Sequence, residues 1–354
     1  MIQSVRKGEE LNEISLKSFL LKNKLINSLD DELSVEQFSN GFSNLTYLLK
    51  IDNKELVLRR PPKGAVKYGH DMGREFKVLS GLNKSFKKAP IAHVFSNDNS
   101  VIGAPFYIME KIEGIILSSK EASSRNINSN EYSKIAKNWL DTFVELHEID
   151  FNKIGLSDLG KPNGYVERQV RNWSKQYLSA ATEEIPESEK VMKWLEKNQP
   201  TKYTYSLIHN DYKYDNIVFK DNSWANIKAI LDWEMCTLGD PLMDLGTSLA
   251  YWTMSTDHKM IIDGMNYPTS NVGNPGRMEI VDMYGTKSGR SMENLVFYYV
   301  YGLFKIAVIV QQIYYRYDKG LTSDKKFKDL NKMTRLLCTI GWQSIQKNRI
   351  ENLF

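Results

Sequence analysis

The sequence contains few of the residues that form disulfide frameworks or zinc sites. Only two cysteines, Cys236 and Cys338, occur among 354 residues. This number excludes a disulfide framework and a cysteine-rich zinc centre. Scarce cysteine is typical of proteins in a reducing compartment, so we expect a cytoplasmic location.

An excess of charge of one sign is also absent. The chain has 47 Lys and Arg residues against 43 Asp and Glu residues, which gives a net charge of +4. A nucleic-acid-binding protein usually carries a clear excess of cations that neutralise phosphates. The balanced charges therefore argue against nucleic acid as a partner.

Long hydrophobic runs are equally scarce. The first residues, MIQSVRKGEELNEI, lack the apolar segment of a signal peptide. Residues 295–315 could cross a bilayer of about 30 Å, but Lys305 lies at their middle. Because a lysine at that depth is costly and no second span accompanies it, we predict a buried core helix and no membrane association.

The organisation of the chain indicates two lobes. A chain of 354 residues exceeds the roughly 250 to 300 residues at which a single core stops growing. Up to residue 112, short alternating segments such as 33–38 predict antiparallel strands, and 15–28 and 71–83 predict helices. After Gly114 helical periodicity dominates. We therefore predict an α+β fold with a small β-sheet lobe at 1–112 and a larger, mainly helical lobe at 113–354.

A helix start and three apolar runs mark the second lobe. The helix predicted at 130–147 is entered through Asn128, with Glu131 three residues later as in a capping box. The stretch LIHNDYKYDNIVF, residues 207–219, places polar residues between two predicted strands, and a third apolar run ends at ILDW. The strand that begins at Asn216 and the strand formed by this third run are expected to form a hairpin.

Three polar residues of this region are expected to converge. Asp211, Asn216 and Asp232 all lie at the ends of the predicted hairpin strands. Oxygen ligands without thiolates suit Mg²⁺, which binds one or two protein carboxylates and completes its shell with water and phosphate oxygens. The pattern therefore indicates a phosphate-bearing substrate.

The same residues carry a family resemblance. His209-x-Asp211-x-x-x-x-Asn216 has the spacing of the kinase catalytic loop, and Asp232 occupies the place of its metal-binding Asp. Together with FSNGFSNLTYLL, LVLRRPP and GDPLMDLG, these motifs resemble the aminoglycoside-phosphotransferase-like kinases. The match is strongest to the branch found alone or fused to acyl-CoA dehydrogenases. The resemblance implies a two-lobed protein-kinase-like fold that uses ATP and Mg²⁺.

The resemblance also implies roles for the residues of the catalytic loop. Asp211 would be the catalytic base for an acceptor hydroxyl, and Lys213 would place a cation near the transferred phosphoryl group. Asn216 and Asp232 would bind Mg²⁺. Further along, Asp240 and Asp244 are expected to cap a helix and to form internal hydrogen bonds.

In the first lobe the resemblance implies an ion pair that holds the nucleotide phosphates. Arg59 would take the place of the strand lysine of protein kinases, and Glu75 would be its helical partner. Because Arg60 is adjacent, either arginine could occupy this position.

The rest of the nucleotide site is expected to consist mainly of backbone. The full glycine-rich loop of protein kinases is missing, since SNGFSN has only Gly41. Its phosphate contacts would come from backbone amides and the Ser43 hydroxyl. The strand at 106–112 would place the main chain of Glu110 and Ile112 against adenine.

The resemblance implies transfer of the γ-phosphoryl group to a hydroxyl of a small molecule, such as a hydroxyacyl-CoA-like substrate. Alternatives are an amino alcohol, a sugar or an aminoglycoside as acceptor, or a kinase-like module that binds nucleotide without catalysis. An iron site built from His209, Asp211 and His258 would require a mostly β barrel. The helical periodicity after residue 240 argues against that site.

Overall fold

A computed structural model of the chain describes residues 2–39, 44–62, 70–322 and 324–354. Its Cα atoms group into two compact units. The first unit combines Met1–Gly114 with Asn152–Leu159 and Lys228–Cys236. The second unit contains Ile115–Phe151, Gly160–Ile227 and Thr237–Phe354. Asp232 therefore belongs to the first unit, although it follows Asp211 in the sequence.

The first unit is built around an antiparallel sheet. In chain order its elements are β1 (Ile2–Gln3), α1 (Glu13–Lys22), β2 (Leu33–Phe38), β3 (Leu45–Ile51), β4 (Lys54–Arg60), α2 (Met72–Leu82), β5 (Ala92–Ser96), α3 (Asn99–Ile102) and β6 (Phe106–Glu110). Within the described residues the strands lie in the order β1-β2-β3-β4-β6-β5.

Strand β4 separates two faces of this sheet. Leu56 and Leu58 pack into a buried apolar cluster with Leu16 and Leu20 of α1. Since side chains alternate along a strand, Arg59 points to the opposite face, where α2 lies. The two-residue period of β4 therefore decides which of its arginines can reach Glu75.

Helix α1 is shorter than the predicted helix at 15–28. It ends at Lys22, and Lys24 has a left-handed backbone with φ of 58°. Leu25 and Ile26 nevertheless pack against the same apolar cluster as the helix. The predicted helix was too long because the apolar residues after the turn are spaced as they would be in a continuing helix.

The second unit is mainly helical. Its elements are β7 (Ile115–Ile116), α4 (Ser119–Ser124), α5 (Ser129–His147), α6 (Tyr165–Ala180), α7 (Pro186–Lys197), β8 (Ser206–Ile208), β9 (Ile217–Phe219), β10 (Ile227–Ile230), β11 (Thr237–Gly239), α8 (Pro241–Tyr251), α9 (Lys259–Met265), α10 (Arg277–Ser288), α11 (Leu295–Asp318) and α12 (Leu330–Lys347). Only Ile227 of β10 belongs to this unit. The capping box predicted for α5 is present, with Glu131 bonded back to Asn128.

Helix α11 is the central helix of the second unit. It packs against α6, α7, α8 and α12. The helix is apolar and long enough to cross a membrane, but 72% of its most apolar stretch is buried inside the structure. Its contact with α8 is close, because a Cβ on Gly246 or Gly302 would overlap the backbone of the facing helix. This burial is typical of a core helix.

Two short strands frame the polar stretch of residues 209–216. Strand β8 precedes it and pairs antiparallel with β11, while β9 follows it and pairs with β7. Between them, Tyr214–Asn216 form one turn of 3₁₀ helix. The stretch, which we call the catalytic loop after the kinase loop that its sequence resembles, is thus held at both ends by strand pairing.

Candidate active site

The first unit contains a cluster of charged side chains around Arg59. The Arg59 guanidinium donates to Glu75 Oε1 of α2 at 2.5 Å. Its Nη2 lies 3.4 Å from Asp232 Oδ1 and 3.5 Å from Glu234 Oε2. The structure therefore brings together Arg59, Glu75 and Asp232, three of the predicted site residues, and adds Glu234.

The alternative pairing through Arg60 is not present. Arg60 Nη1 donates to the main-chain oxygen of Ile102 at 3.1 Å, on the other face of β4. Arg59 is thus the ion-pair partner of Glu75.

Both side chains of this ion pair are buried. The Arg59 side chain is 10% exposed and that of Glu75 is 2% exposed. Burial raises the pKa of Glu75, and the Arg59 charge opposes this shift. A buried charge without its partner is strongly unfavourable, so each member of the pair requires the other.

Replacement of Glu75 by Gln is expected to lower the free energy of unfolding by about 3 kcal/mol, because it leaves the buried Arg59 charge without its nearest partner. Urea unfolding followed by circular dichroism measures this change. The control is Glu55→Gln, which breaks the more exposed Lys111–Glu55 pair of the same unit. The control should cost less than about 1 kcal/mol, and equal losses in both variants would contradict the prediction.

Two side chains that sequence reasoning missed extend the Arg59 cluster. Asn44 Nδ2 donates to Glu234 Oε2 at 2.9 Å, and its Oδ1 lies 2.8 Å from His70 Nδ1. Glu234 was visible in the motif ILDWE, two residues after Asp232. Asn44 lies within the motif FSNGFSNLTYLL, but nothing in that motif pointed to its side chain. His70 belongs to none of the motifs.

The predicted nucleotide contacts are only partly described. Ser43 lies outside the described residues. Glu110 is the last residue of β6, and its N–H donates to Ile91 O at 2.9 Å. Ile112 follows the strand in irregular backbone, so the predicted strand at 106–112 ends two residues early.

In the second unit, the Asp211 carboxylate is held by two neighbours in the catalytic loop. Lys213 Nζ lies 3.1 Å from Oδ1 and 2.9 Å from Oδ2. Asn216 Nδ2 donates to Asp211 Oδ2 and to its main-chain oxygen, both at 2.8 Å. The structure thus brings Asp211, Lys213 and Asn216 into one cluster with a defined carboxylate orientation.

Lys213 remains charged in this cluster. Although burial opposes the charge, Tyr251 and Asp211 raise the pKa of Lys213 well above its usual value. Its Nζ lies 4.6 Å from the centre of the Tyr251 ring, a cation–π distance. A fixed cation therefore lies beside the carboxylate at neutral pH.

Asp244 of α8 fixes the main chain of the catalytic loop through hydrogen bonds. Asp244 accepts from the main-chain N–H groups of His209 at 2.6 Å and Asn210 at 2.8 Å. His147 Nε2 lies 3.2 Å from the same carboxylate, and its Nδ1 lies 2.7 Å from the Tyr284 hydroxyl. Asp244 therefore has the internal hydrogen-bonding role expected for it.

Asp240 and His209 also have structural contacts. Asp240 is the N-cap of α8 and accepts from Leu242 N at 2.9 Å, the capping role expected from the sequence. His209 is fully buried, and its Nδ1 accepts from Asp211 N at 3.2 Å. His209 thus supports the loop by accepting a main-chain hydrogen bond.

Lys305 is a further residue that sequence reasoning missed at this site. Its Nζ donates to Asn210 O at 2.6 Å, although it lies at the middle of α11. The side chain is buried, with 1% of its surface exposed. The signal that could have indicated this residue is a single lysine within an otherwise apolar helix.

Comparison with known proteins identifies the family. The model of the phosphotransferase enzyme family matches residues 34–279. This chain belongs to the phosphotransferase enzyme family. The matched segment contains every predicted site residue, from Ser43 to Asp232.

Relatives and solved structures of this phosphotransferase family agree with the match. Acyl-CoA dehydrogenase family member 10 of Mus musculus is 30% identical over 345 residues, which are 97% of this chain and 32% of that protein. A crystal structure of a candidate aminoglycoside phosphotransferase from Ralstonia eutropha JMP134 has a TM-score of 0.81 at 30% identity, covering 96% of this chain and 99% of that chain. The chain spans about a third of the length of the mouse relative.

More distant structures of phosphotransferases show the shared fold. The enzyme APH(2'')-IIIa, solved with GDP and kanamycin, has a TM-score of 0.62 at 14% identity and covers 92% of this chain and 98% of that chain. The predicted α+β, protein-kinase-like fold class is confirmed by these likenesses.

The oxygen atoms of two predicted metal ligands fit Mg²⁺ in their chemistry. Asn216 uses its Nδ2 for both of its hydrogen bonds to acceptors, which fixes the amide orientation. Within the described residues no donor contacts Asn216 Oδ1. Asp232 contacts Arg59 only through Oδ1, and its side chain is 39% exposed. Each residue thus offers one oxygen to a cation.

Among the described residues, no group of three or more His, Cys, Asp or Glu side chains could hold a metal ion. Asn216 and Asp232 belong to different units, so their joint role in metal binding stays a prediction.

Proposed function

We propose that the protein is a Mg²⁺-dependent kinase that transfers the γ-phosphoryl group of ATP to a hydroxyl group of a small molecule. The observation that carries this proposal is the orientation of the Asp211 carboxylate by Lys213 and Asn216 in the catalytic loop. Kinases use an Asp in this type of loop to orient the acceptor hydroxyl. Membership of the phosphotransferase family supports the same reaction class.

The proposed reaction assigns distinct tasks to two residues of the catalytic loop. Asp211 accepts the proton of the acceptor hydroxyl while the new O–P bond forms and the bond between the γ-phosphorus and ADP breaks. The Lys213 ammonium stabilises the negative charge on the transferred group. Asn216 and Asp232 would be the protein ligands of Mg²⁺, and the ion would supply charge neutralisation for the phosphate oxygens of ATP.

The first unit would bind the nucleotide. Arg59 would contact phosphate oxygens, and its ion pair with Glu75 would keep the guanidinium in place. The Ser43 hydroxyl would add a phosphate contact. The main chain of Glu110 and Ile112 would contact adenine, and because the Glu110 N–H already donates to Ile91, Glu110 would use its carbonyl oxygen.

A hydroxyacyl-CoA-like molecule is the acceptor that we propose. This choice rests on the relatives, because the curated proteins matched over most of this chain are acyl-CoA dehydrogenase family members. Amino alcohols, sugars and aminoglycosides are the other small alcohols that this reaction class allows.

The experiment is a screen of ATP consumption with Mg²⁺ across hydroxyacyl-CoA esters, amino alcohols, sugars and aminoglycosides. Phosphorylated product is confirmed by mass spectrometry, and Asp211→Asn serves as the inactive control. We expect turnover with at least one hydroxylated acceptor, strongest among the acyl-CoA esters. Nucleotide binding without turnover on any acceptor would contradict the proposed function and favour a non-catalytic module.

A further inference from the structure

The residue before the proposed catalytic base has an unusual backbone conformation. Asn210 has a positive φ of 68°. This left-handed region is uncommon for residues other than glycine, although Asn tolerates it better than most. Such a conformation persists only where the surrounding structure holds it in place.

Contacts from three different helices hold Asn210. Its N–H donates to Asp244 Oδ1 of α8 at 2.8 Å. Its main-chain oxygen accepts from Lys305 Nζ of α11 at 2.6 Å. Its side-chain amide lies 3.3 Å from the Tyr165 hydroxyl of α6. The backbone on both sides of the Asn210 Cα is therefore fixed by charged groups.

The contact with Lys305 acts on Asp211 through one rigid peptide group. The Asn210 carbonyl and the Asp211 N–H belong to the same planar unit. Lys305 holds the oxygen of this unit, and His209 Nδ1 accepts from its N–H at 3.2 Å. Rotation of this peptide would turn the Cα of Asp211 and displace its carboxylate.

Packing alone does not account for a lysine at this position. Burial of the ammonium disfavours its charge and lowers the pKa of Lys305 to about 8, while Asp211 and Asp244 oppose this shift and Lys213 adds to it. From α6, the Trp173 ring lies 5.9 Å from Nζ. An apolar side chain of similar length would fill the same space in α11 without the cost of desolvation.

We propose that Lys305 is a positioning residue that holds the Asn210 carbonyl and thereby fixes the Asp211 carboxylate for phosphoryl transfer. This inference rests on the proposed function of Asp211 as the catalytic base. Lys305 would thus be a functional residue of the site. It lies on the core helix α11, outside the segment that matches the family model.

The test compares Lys305→Met with Gln311→Met. Gln311 is a matched control because it is also buried on α11 and donates to a main-chain oxygen, that of Ala180, at 2.9 Å. We expect Lys305→Met to lower kcat about 10- to 100-fold with an unchanged KM for ATP, the range for a displaced catalytic group. Gln311→Met should leave kcat within about twofold of the wild type, since it touches no residue of the loop.

Two further variants separate positioning from a general packing effect. Lys305→Arg keeps a charged donor and should restore most of kcat. Lys305→Gln keeps a shorter, neutral donor and should give an intermediate rate, which also provides a result if Lys305→Met does not fold. A wild-type kcat in Lys305→Met or Lys305→Gln, or an equal loss in Gln311→Met, would overturn the proposal.

A readout without turnover distinguishes this inference from the proposed function. Hydrogen exchange of a peptide spanning residues 207–213 should be faster in Lys305→Met and unchanged in Gln311→Met. Faster exchange in Lys305→Met, together with no activity in the wild type, would refute the proposed function. The role of Lys305 in fixing the loop would still be supported. Unchanged exchange in Lys305→Met would refute the proposal that Lys305 fixes the loop.

Discussion

Replacement of Asp211 by Asn is expected to lower kcat about 1,000-fold, within the range that a positioned general base contributes. This factor corresponds to about 4 kcal/mol of lost transition-state stabilisation. The amide keeps the size of the carboxylate but cannot accept the proton of the acceptor hydroxyl. Affinity for ATP should change by less than about twofold, because Asp211 is proposed to face the acceptor.

The measurement is steady-state turnover with the best acceptor from the screen, combined with calorimetric titration of ATP. Asp215→Asn is the matched control, since Asp215 is a half-buried carboxylate of the same loop with no proposed role. It should retain turnover close to that of the wild type. A wild-type rate in Asp211→Asn would show that another group removes the proton.

Replacement of Asp232 by Ala is expected to abolish the dependence of ATP binding on Mg²⁺ and to lower kcat/KM on the order of 1,000-fold. The reason is the loss of the carboxylate that we propose as a Mg²⁺ ligand through its Oδ2. Nucleotide titrations with Mg²⁺ and with EDTA measure the first effect, and turnover over a range of Mg²⁺ concentrations measures the second.

Glu234→Ala is the control for Asp232→Ala. Both carboxylates flank the Arg59 guanidinium, at 3.4 Å for Asp232 and 3.5 Å for Glu234. If Asp232 acts only by pairing with Arg59, the two variants should behave alike. Retention of Mg²⁺-dependent binding in Asp232→Ala would rule out Asp232 as a ligand.

Much of the fold could be predicted because its signals are local. The cap at Asn128 and Glu131 depends on residues three positions apart, and the strand predicted at 33–38 is present with those bounds. The end of α1 could not be predicted in the same way. Ile26 is buried and Leu25 partly buried because both pack against the apolar cluster, and their apolar spacing is the same as that of a longer helix.

The candidate site was predicted to different degrees in its parts. Asp211, Lys213 and Asn216 lie within one short loop, so their spacing alone predicted a cluster. Asp244 was expected to form internal hydrogen bonds, but its partners His209 and Asn210 were unknown because they lie more than 30 residues away in sequence. His147, which no motif marks, is a buried partner of the same Asp244 carboxylate.

The fold class, the family and the loop that carries Asp211 could all be predicted from the sequence. These predictions follow from local periodicity and from motif spacing, which are visible in the linear sequence. The pairing of Arg59 rather than Arg60 with Glu75, and the contact of Lys305 with the Asn210 carbonyl, could be seen only in the folded chain. Both contacts depend on which face of a strand or helix meets a distant segment, and that choice is made by packing of the whole core.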